Sequence, residues 1–182
     1  MNKGHRLIVI DTETTGLTLH EHAPLHKQPK IIEFGAIILE HGACVEELAL
    51  LINPREALTE EIQKITGLTD ADLRNQMLFH ECVPQLTKLF QTCDHVMAHN
   101  LPFDRAMVMN ELQRANCRDR FPWPAKETCV VGLYKEMWGY NPKLKDVYEH
   151  VMGKPLQQTH RALNDVKALV EIIQEEELWQ LG

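Results

Sequence analysis

The chain has 182 residues, 44% of them hydrophobic and 25% charged, a composition expected of one ordinary soluble domain with a buried core. A formal net charge of −7 argues against a bulk electrostatic grip on long duplex DNA. No apolar run is long enough to cross a bilayer, so no membrane association is expected. The first residues lead straight into a strand-length apolar run, unlike a signal peptide. Cys44, Cys82, Cys93, Cys117 and Cys129 are scattered without C-x-x-C spacing, which points to a reducing, cytoplasmic setting and away from zinc or disulfides.

The first element is the continuous apolar run Leu7, Ile8, Val9, Ile10, which fits a strand buried on both faces. It leads into Asp11-Thr12-Glu13, followed by turn chemistry in Thr14-Thr15-Gly16. On a strand, Asp11 and Glu13 point to the same side. Two carboxylates on one face at the end of a buried strand are costly unless protons or cations occupy the site, and oxygen-only ligands suit Mg²⁺ or Mn²⁺. Asp-x-Glu taken alone reads first as an N-cap and a turn, and the rest of the chain decides the matter.

Residues 17–30 form a polar, His-rich connection, and residues 31–39 read as the second strand. His41-Gly42 gives a hairpin turn into a third strand over 44–52, antiparallel to its neighbours. Thr59 caps a short helix that Gly67 ends, and a further helical turn starts at Thr69. Val83, Leu86, Leu89 and Phe90 have helical spacing within 82–91. Within this stretch, 85–90 loosely resembles a sliding-clamp-binding peptide, but the same residues serve as a helix's buried face. A short buried strand over 95–98 delivers His99-Asn100-Leu101-Pro102-Phe103-Asp104. Pro102 suits the first turn of a helix running to about residue 115, which places Asp104 in that turn. An edge strand is expected over 127–131, then helices over 132–138 and 144–151. A flexible polar segment, 153–159, precedes a last helix from near Arg161 to about Leu178. That helix carries one apolar stripe, with His160 at its start and Asp165 on it.

Three acidic clusters therefore each sit at the end of an expected element: Asp11-Thr12-Glu13-Thr14-Thr15-Gly16-Leu17, His99-Asn100-x-x-Phe103-Asp104, and His160-Arg161-Ala162-Leu163-x-Asp165. With these motifs in this order, the chain resembles the DEDDh, or DnaQ-like, family of 3′→5′ exonucleases. The resemblance extends over almost the whole of 1–182, including Ile31-Ile32-Glu33-Phe34-Gly35-Ala36 and Ile65-Thr66-Gly67-Leu68-Thr69. Four residues separate His160 from Asp165, as in the histidine branch. The tyrosine branch would place Tyr where this chain has Arg161. His150, the rival histidine, has no acidic residue at that spacing.

The resemblance implies an α/β, RNase H-like fold: a mixed five-stranded sheet flanked by helices, with the first three strands antiparallel. It implies that Asp11, Glu13, Asp104 and Asp165 gather two Mg²⁺ or Mn²⁺ ions. Asp11 would bridge both, Glu13 and Asp165 would complete the nucleophile-side ion, and Asp104 would serve the other. His160 would take the proton from the attacking water. Leu17 and Phe103 would pack on terminal bases, or else belong to the core. Thr14, His99 and Asn100 are further candidate substrate contacts, and Arg161 and Lys145 are candidate phosphate contacts. The substrate expected is a single-stranded 3′ end, DNA favoured. An RNA-trimming enzyme is the alternative within the class, and a silent binding or polymerase-accessory module the alternative outside it. A DNA polymerase is a candidate partner, although the chain ends at Gly182 right after the last expected helix.

Overall fold

The computed structural model describes residues 5–20 and 22–181. Leu7, Ile8, Val9 and Ile10 are buried at the centre of β1 (Arg6–Thr14), the middle strand of a five-stranded sheet ordered β3-β2-β1-β4-β5. β2 (Ile31–Glu40) and β3 (Ala43–Leu51) run antiparallel on one side, joined through His41 and Gly42, both at positive φ. This backbone matches the right-handed twist of the strands it connects. β4 (His95–Ala98) and β5 (Lys126–Cys129) continue the sheet in parallel on the other side. The first three strands are thus antiparallel and the sheet is mixed, as expected.

The helices are α1 (Glu60–Thr66), α2 (Asp70–Leu73), α3 (Phe79–Phe90), α4 (Leu101–Arg114), α5 (Val130–Trp138), α6 (Leu144–Met152) and α7 (Ala162–Glu175). They cover both faces, which explains why β1 is apolar without alternation. Ile8 and Ile10 pack with α3 and α4, whereas Leu7 and Val9 pack with α5, α6 and α7. Among the described residues, no helix is long and apolar enough to cross a membrane.

Several boundaries differ from the sequence expectations. β1 runs through Thr14, and its register with β2 shifts between Glu13 and Thr14, so the expected turn begins later. α3 starts at Phe79, not 82, because the Glu81 carboxylate accepts a 2.7 Å bond from the Leu78 N–H and stabilises an earlier start. Leu86, Leu89 and Phe90 are buried, so the 85–90 stretch is core. Trp123 stacks on Phe90 with ring centroids 5.3 Å apart, covering that core. β5 stops at Cys129, where its partner β4 ends at Ala98, and α5 begins at the next residue. α7 ends at Glu175, and a separate 3-10 turn spans Leu178–Gln180.

Candidate active site

Three elements deliver the acidic residues to one place. Asp11 and Glu13 lie on the β1 face that carries Leu7 and Val9, the face covered by α7. Asp165 occupies the first turn of α7, and Asp104 the first turn of α4. α4 follows β4, which is parallel to β1, so its N-terminus stands at the end of the sheet where Asp11 and Glu13 emerge. Thr12 points to the opposite face of β1 and donates a 2.8 Å hydrogen bond to Asp104 Oδ1 within the interior. Strand alternation thus serves two carboxylate sets: odd positions carry Asp11 and Glu13, and Thr12 anchors the carboxylate arriving from α4.

Close approach of α7 to the sheet depends on Gly35. It pairs with Asp11 in the β1–β2 register, and a Cβ there would lie 2.6 Å from Ala162 C and Leu163 N. Only a residue without a side chain lets the start of α7 rest on β2.

The carboxylates are unhappy together as anions. Burial raises Asp11 well above the usual range, reinforced by Asp104, Glu13, Asp165 and Glu33. Glu13 is pushed to about 8 by burial and then by Asp165, Glu33 and Asp104, with Arg161 opposing. Burial lifts Asp104 to about 7 against the pull of the Thr12 hydroxyl. Asp165 is raised by burial, opposed by Gln158 and His160. A cluster of this kind holds either protons or cations. All four carboxylates offer hard oxygen donors, which fit Mg²⁺ or Mn²⁺ better than soft ions.

His160 precedes α7 in the left-handed region, at φ 48°, and is solvent-exposed. This backbone turn solves the problem posed by the five-residue step to Asp165, which on a helix would set the two side chains about 500° apart. Among the described residues, Glu13, His160 and Asp165 each offer a ligand atom, and these atoms all lie within 4.8 Å of one another. The segment before the helix is tied down: Gln158 Nε2 donates to Asp165 Oδ2 at 2.7 Å, and Asn164 Nδ2 donates to Thr159 Oγ1 at 2.9 Å.

Two residues carry roles that the sequence reading did not give them. Glu33 is buried directly opposite Glu13 in the register. Arg161 clasps it through Nε and Nη2, with contacts of 2.9 Å to each carboxylate oxygen, and the Ala162 N–H adds a 3.2 Å bond to Oε2. Gln158 lies in a stretch read only as flexible. Glu33 could have been flagged by strand parity, since a charged residue inside an otherwise apolar, fully buried strand needs a partner.

The remaining candidates differ in exposure and in partners. Leu17 is 82% exposed, so it is not core. Phe103 is half-buried and packs on the α3–α4 core. Thr14 is buried and donates to the Gly16 carbonyl at 2.7 Å. Asn100 is exposed at the N-cap of α4 and makes no side-chain capping bond there. The His99 ring bonds through Nε2 to the Pro142 carbonyl at 3.1 Å, its Nδ1 has no partner among the described residues, and burial lowers its pKa. Lys145 is exposed on α6, and His150 packs edge-on against Tyr134 and Trp138.

The RNase T family profile, described as Exonuclease, matches residues 8–173. The 3′-5′ exonuclease DinG of Bacillus subtilis (strain 168) is 33% identical over 115 residues, covering 63% of this chain and 12% of that protein. The DNA polymerase III subunit epsilon of Aquifex aeolicus (strain VF5) is 28% identical over 176 residues, covering 94% of this chain and 81% of the subunit. Relative to DinG and several polymerase III PolC-type proteins, the chain spans only about a tenth of their length, 12% and 11% in the first of each. Among solved structures, Exonuclease X in complex with 5′ overhanging duplex DNA superposes with a TM-score of 0.65 at 21% identity, over 94% of this chain and 93% of that one. That similarity concerns the fold, which is RNase H-like. With a family match running from β1 into α7 and the acidic residues of β1, α4 and α7 gathered at one sheet end, the chain belongs to the RNase T exonuclease family.

Proposed function

We propose that this chain is a divalent-cation-dependent 3′→5′ exonuclease that removes nucleoside 5′-monophosphates from single-stranded ends, with DNA favoured. The observation that carries the proposal is the convergence of four carboxylates from β1, α4 and α7 with His160. The direction of attack follows the named activity of the DinG relative, and the DNA preference follows the polymerase subunit and the DNA-bound Exonuclease X. A DNA polymerase as partner is supported by the same subunit likeness.

Two bound cations supply positive charge that lowers the pKa of the attacking water and stabilises both the attacking and leaving oxygens. Asp11, central among the carboxylates, would contribute to holding both. Glu13 and Asp165 would hold the one on the nucleophile side, and Asp104, anchored by Thr12, would hold the other. The His160 ring takes a proton from the attacking water and passes it to solvent, to which it is open. Leu17, exposed three residues past the end of β1, stacks against a terminal base, and Phe103 packs against the same nucleotide, since stacking needs no sequence code. Thr14, His99 and Asn100 border the terminal nucleotide.

The test is degradation of matched DNA and RNA oligomers, side by side, with Mg²⁺, Mn²⁺ or EDTA, and chromatography of the products. Nucleoside 5′-monophosphates released faster from DNA, and only with cation, support the proposal. Dinucleotide or 3′-phosphate products, or equal rates in EDTA, refute it.

A further inference from the structure

Glu33 is a fifth carboxylate at a site that needs four. It sits directly across from Glu13 on the same face of the sheet, and its side chain is only 3% exposed. Like charges opposed on neighbouring strands repel, and an unpaired buried carboxylate is more costly still. Arg161 answers both problems. Its planar fork meets both Glu33 oxygens, and its charge also bears on Glu13. The pair is placed where it can do more than neutralise. Glu33 belongs to β2, two residues before the Gly35 contact with α7, and it also accepts the N–H that opens α7. Arg161 lies between His160 and that opening, with Asp165 one turn later.

We propose that Glu33 and Arg161 are a positioning pair: together they staple the start of α7 to β2, which sets His160 and Asp165 against Glu13, and Arg161 keeps Glu33 out of the cation-binding set. This rests on the two-cation reading above. It assigns Arg161 to the protein's own carboxylate, whereas the sequence reading offered it to a substrate phosphate. The two assignments differ in sign. A phosphate contact at Arg161 predicts that losing it raises KM, and that freeing its guanidinium by Glu33→Gln lowers KM and preserves kcat. A positioning pair predicts that either loss lowers kcat and leaves KM nearly unchanged.

The experiment is a double-mutant cycle with Glu33→Gln, Arg161→Gln and the double variant. It measures kcat and KM on a labelled DNA oligomer, Mn²⁺ affinity by electron paramagnetic resonance, and melting temperature in EDTA. Each single change is expected to lower kcat by about 10-fold or more with KM within about 3-fold, and the double to lose about 10-fold less than the product of the singles. Mn²⁺ affinity should move in opposite directions. Glu33→Gln leaves an unpaired guanidinium beside Glu13 and weakens binding. Arg161→Gln leaves an uncompensated carboxylate and tightens it. Arg161→Lys keeps charge but not the fork, so it should restore Mn²⁺ affinity to the wild-type value without restoring kcat. KM effects without kcat loss, or losses that simply multiply, overturn the pairing. Should wild-type protein bind no Mn²⁺, the cation reading fails, while coupled melting temperatures in EDTA still establish the pair and additive ones still overturn it. If Arg161→Gln does not fold, Arg161→Lys and Glu33→Asp give the same kcat-against-KM split.

Discussion

Removing cations should make the stability of this protein fall as pH rises from about 6.5 to 8. In the folded chain Glu13 titrates at about 8 and Asp104 at about 7, against ordinary values of 4.5 and 3.8. The unfolded chain is already ionised at both positions in this window, so the folded state binds the extra protons. Stability from these raised carboxylates is complete below their unfolded values and is lost as pH climbs through about 7 for Asp104 and about 8 for Glu13. Below about pH 6.5 an opposite trend enters. His95 is lowered to about 4 and His99 is also lowered, so the unfolded chain takes up protons there that the folded chain refuses. Each proton that the folded chain holds and the unfolded chain lacks costs about 1.4 kcal/mol of stability per pH unit, and solvent at half-buried Glu13 reduces its share, leaving a total on the order of 1–2 kcal/mol. For a chain of this size that is a few degrees of melting temperature, at roughly 2–4 °C per kcal/mol. Saturating Mg²⁺ holds the carboxylates ionised, so the slope should vanish or invert. Melting curves at four pH values, with EDTA and with Mg²⁺, measure the difference, in which surface groups cancel. Parallel pH profiles in the two conditions would refute the reasoning.

Asp11→Asn should abolish nucleotide release and still raise the melting point in EDTA, by about 1 kcal/mol of stability, because it removes the carboxylate most crowded by the others. Calorimetry beside an activity assay checks both halves. His160→Ala should lower kcat by roughly 10²–10⁴-fold, the usual worth of a positioned base, with KM little changed; steady-state kinetics at neutral pH reads it, and near wild-type turnover would remove the assignment. Gly35→Ala should destabilise by about 1–3 kcal/mol, since its Cβ would strike α7 backbone rather than a movable side chain. Urea unfolding measures that cost, and Mn²⁺ affinity should weaken with it as Asp165 is displaced.

The four clustered carboxylates were legible because each is announced locally. Asp11 and Glu13 follow an unbroken apolar strand, Asp104 follows a proline at a helix start, and Asp165 follows a histidine at the start of an apolar stripe. Strand and helix ends were less legible, as where Glu81 draws α3 back to Phe79 despite Pro84 within the helix. Supporting contacts left the weakest trace. Thr12 and Asp104 are 92 residues apart, and Glu33 and Arg161 are 128 apart, so no local periodicity links them. Gly35 shows the same limit: its neighbour of consequence is the backbone of Ala162, which only the tertiary fold brings near. Leu17 was balanced between core and surface in sequence because an apolar side chain after a strand suits either, and its 82% exposure settles only that it is surface.

The most direct test of the central claim is the fate of a 5′-labelled single-stranded DNA incubated with the protein and Mg²⁺, beside a circular single strand. The linear strand should shorten one nucleotide at a time from its 3′ end, stop in EDTA, and be spared by Asp11→Asn, while the circle stays intact. Nicking of the circle, immediate release of the 5′ label, or undiminished shortening by Asp11→Asn would contradict a cation-dependent 3′→5′ exonuclease built on this carboxylate cluster.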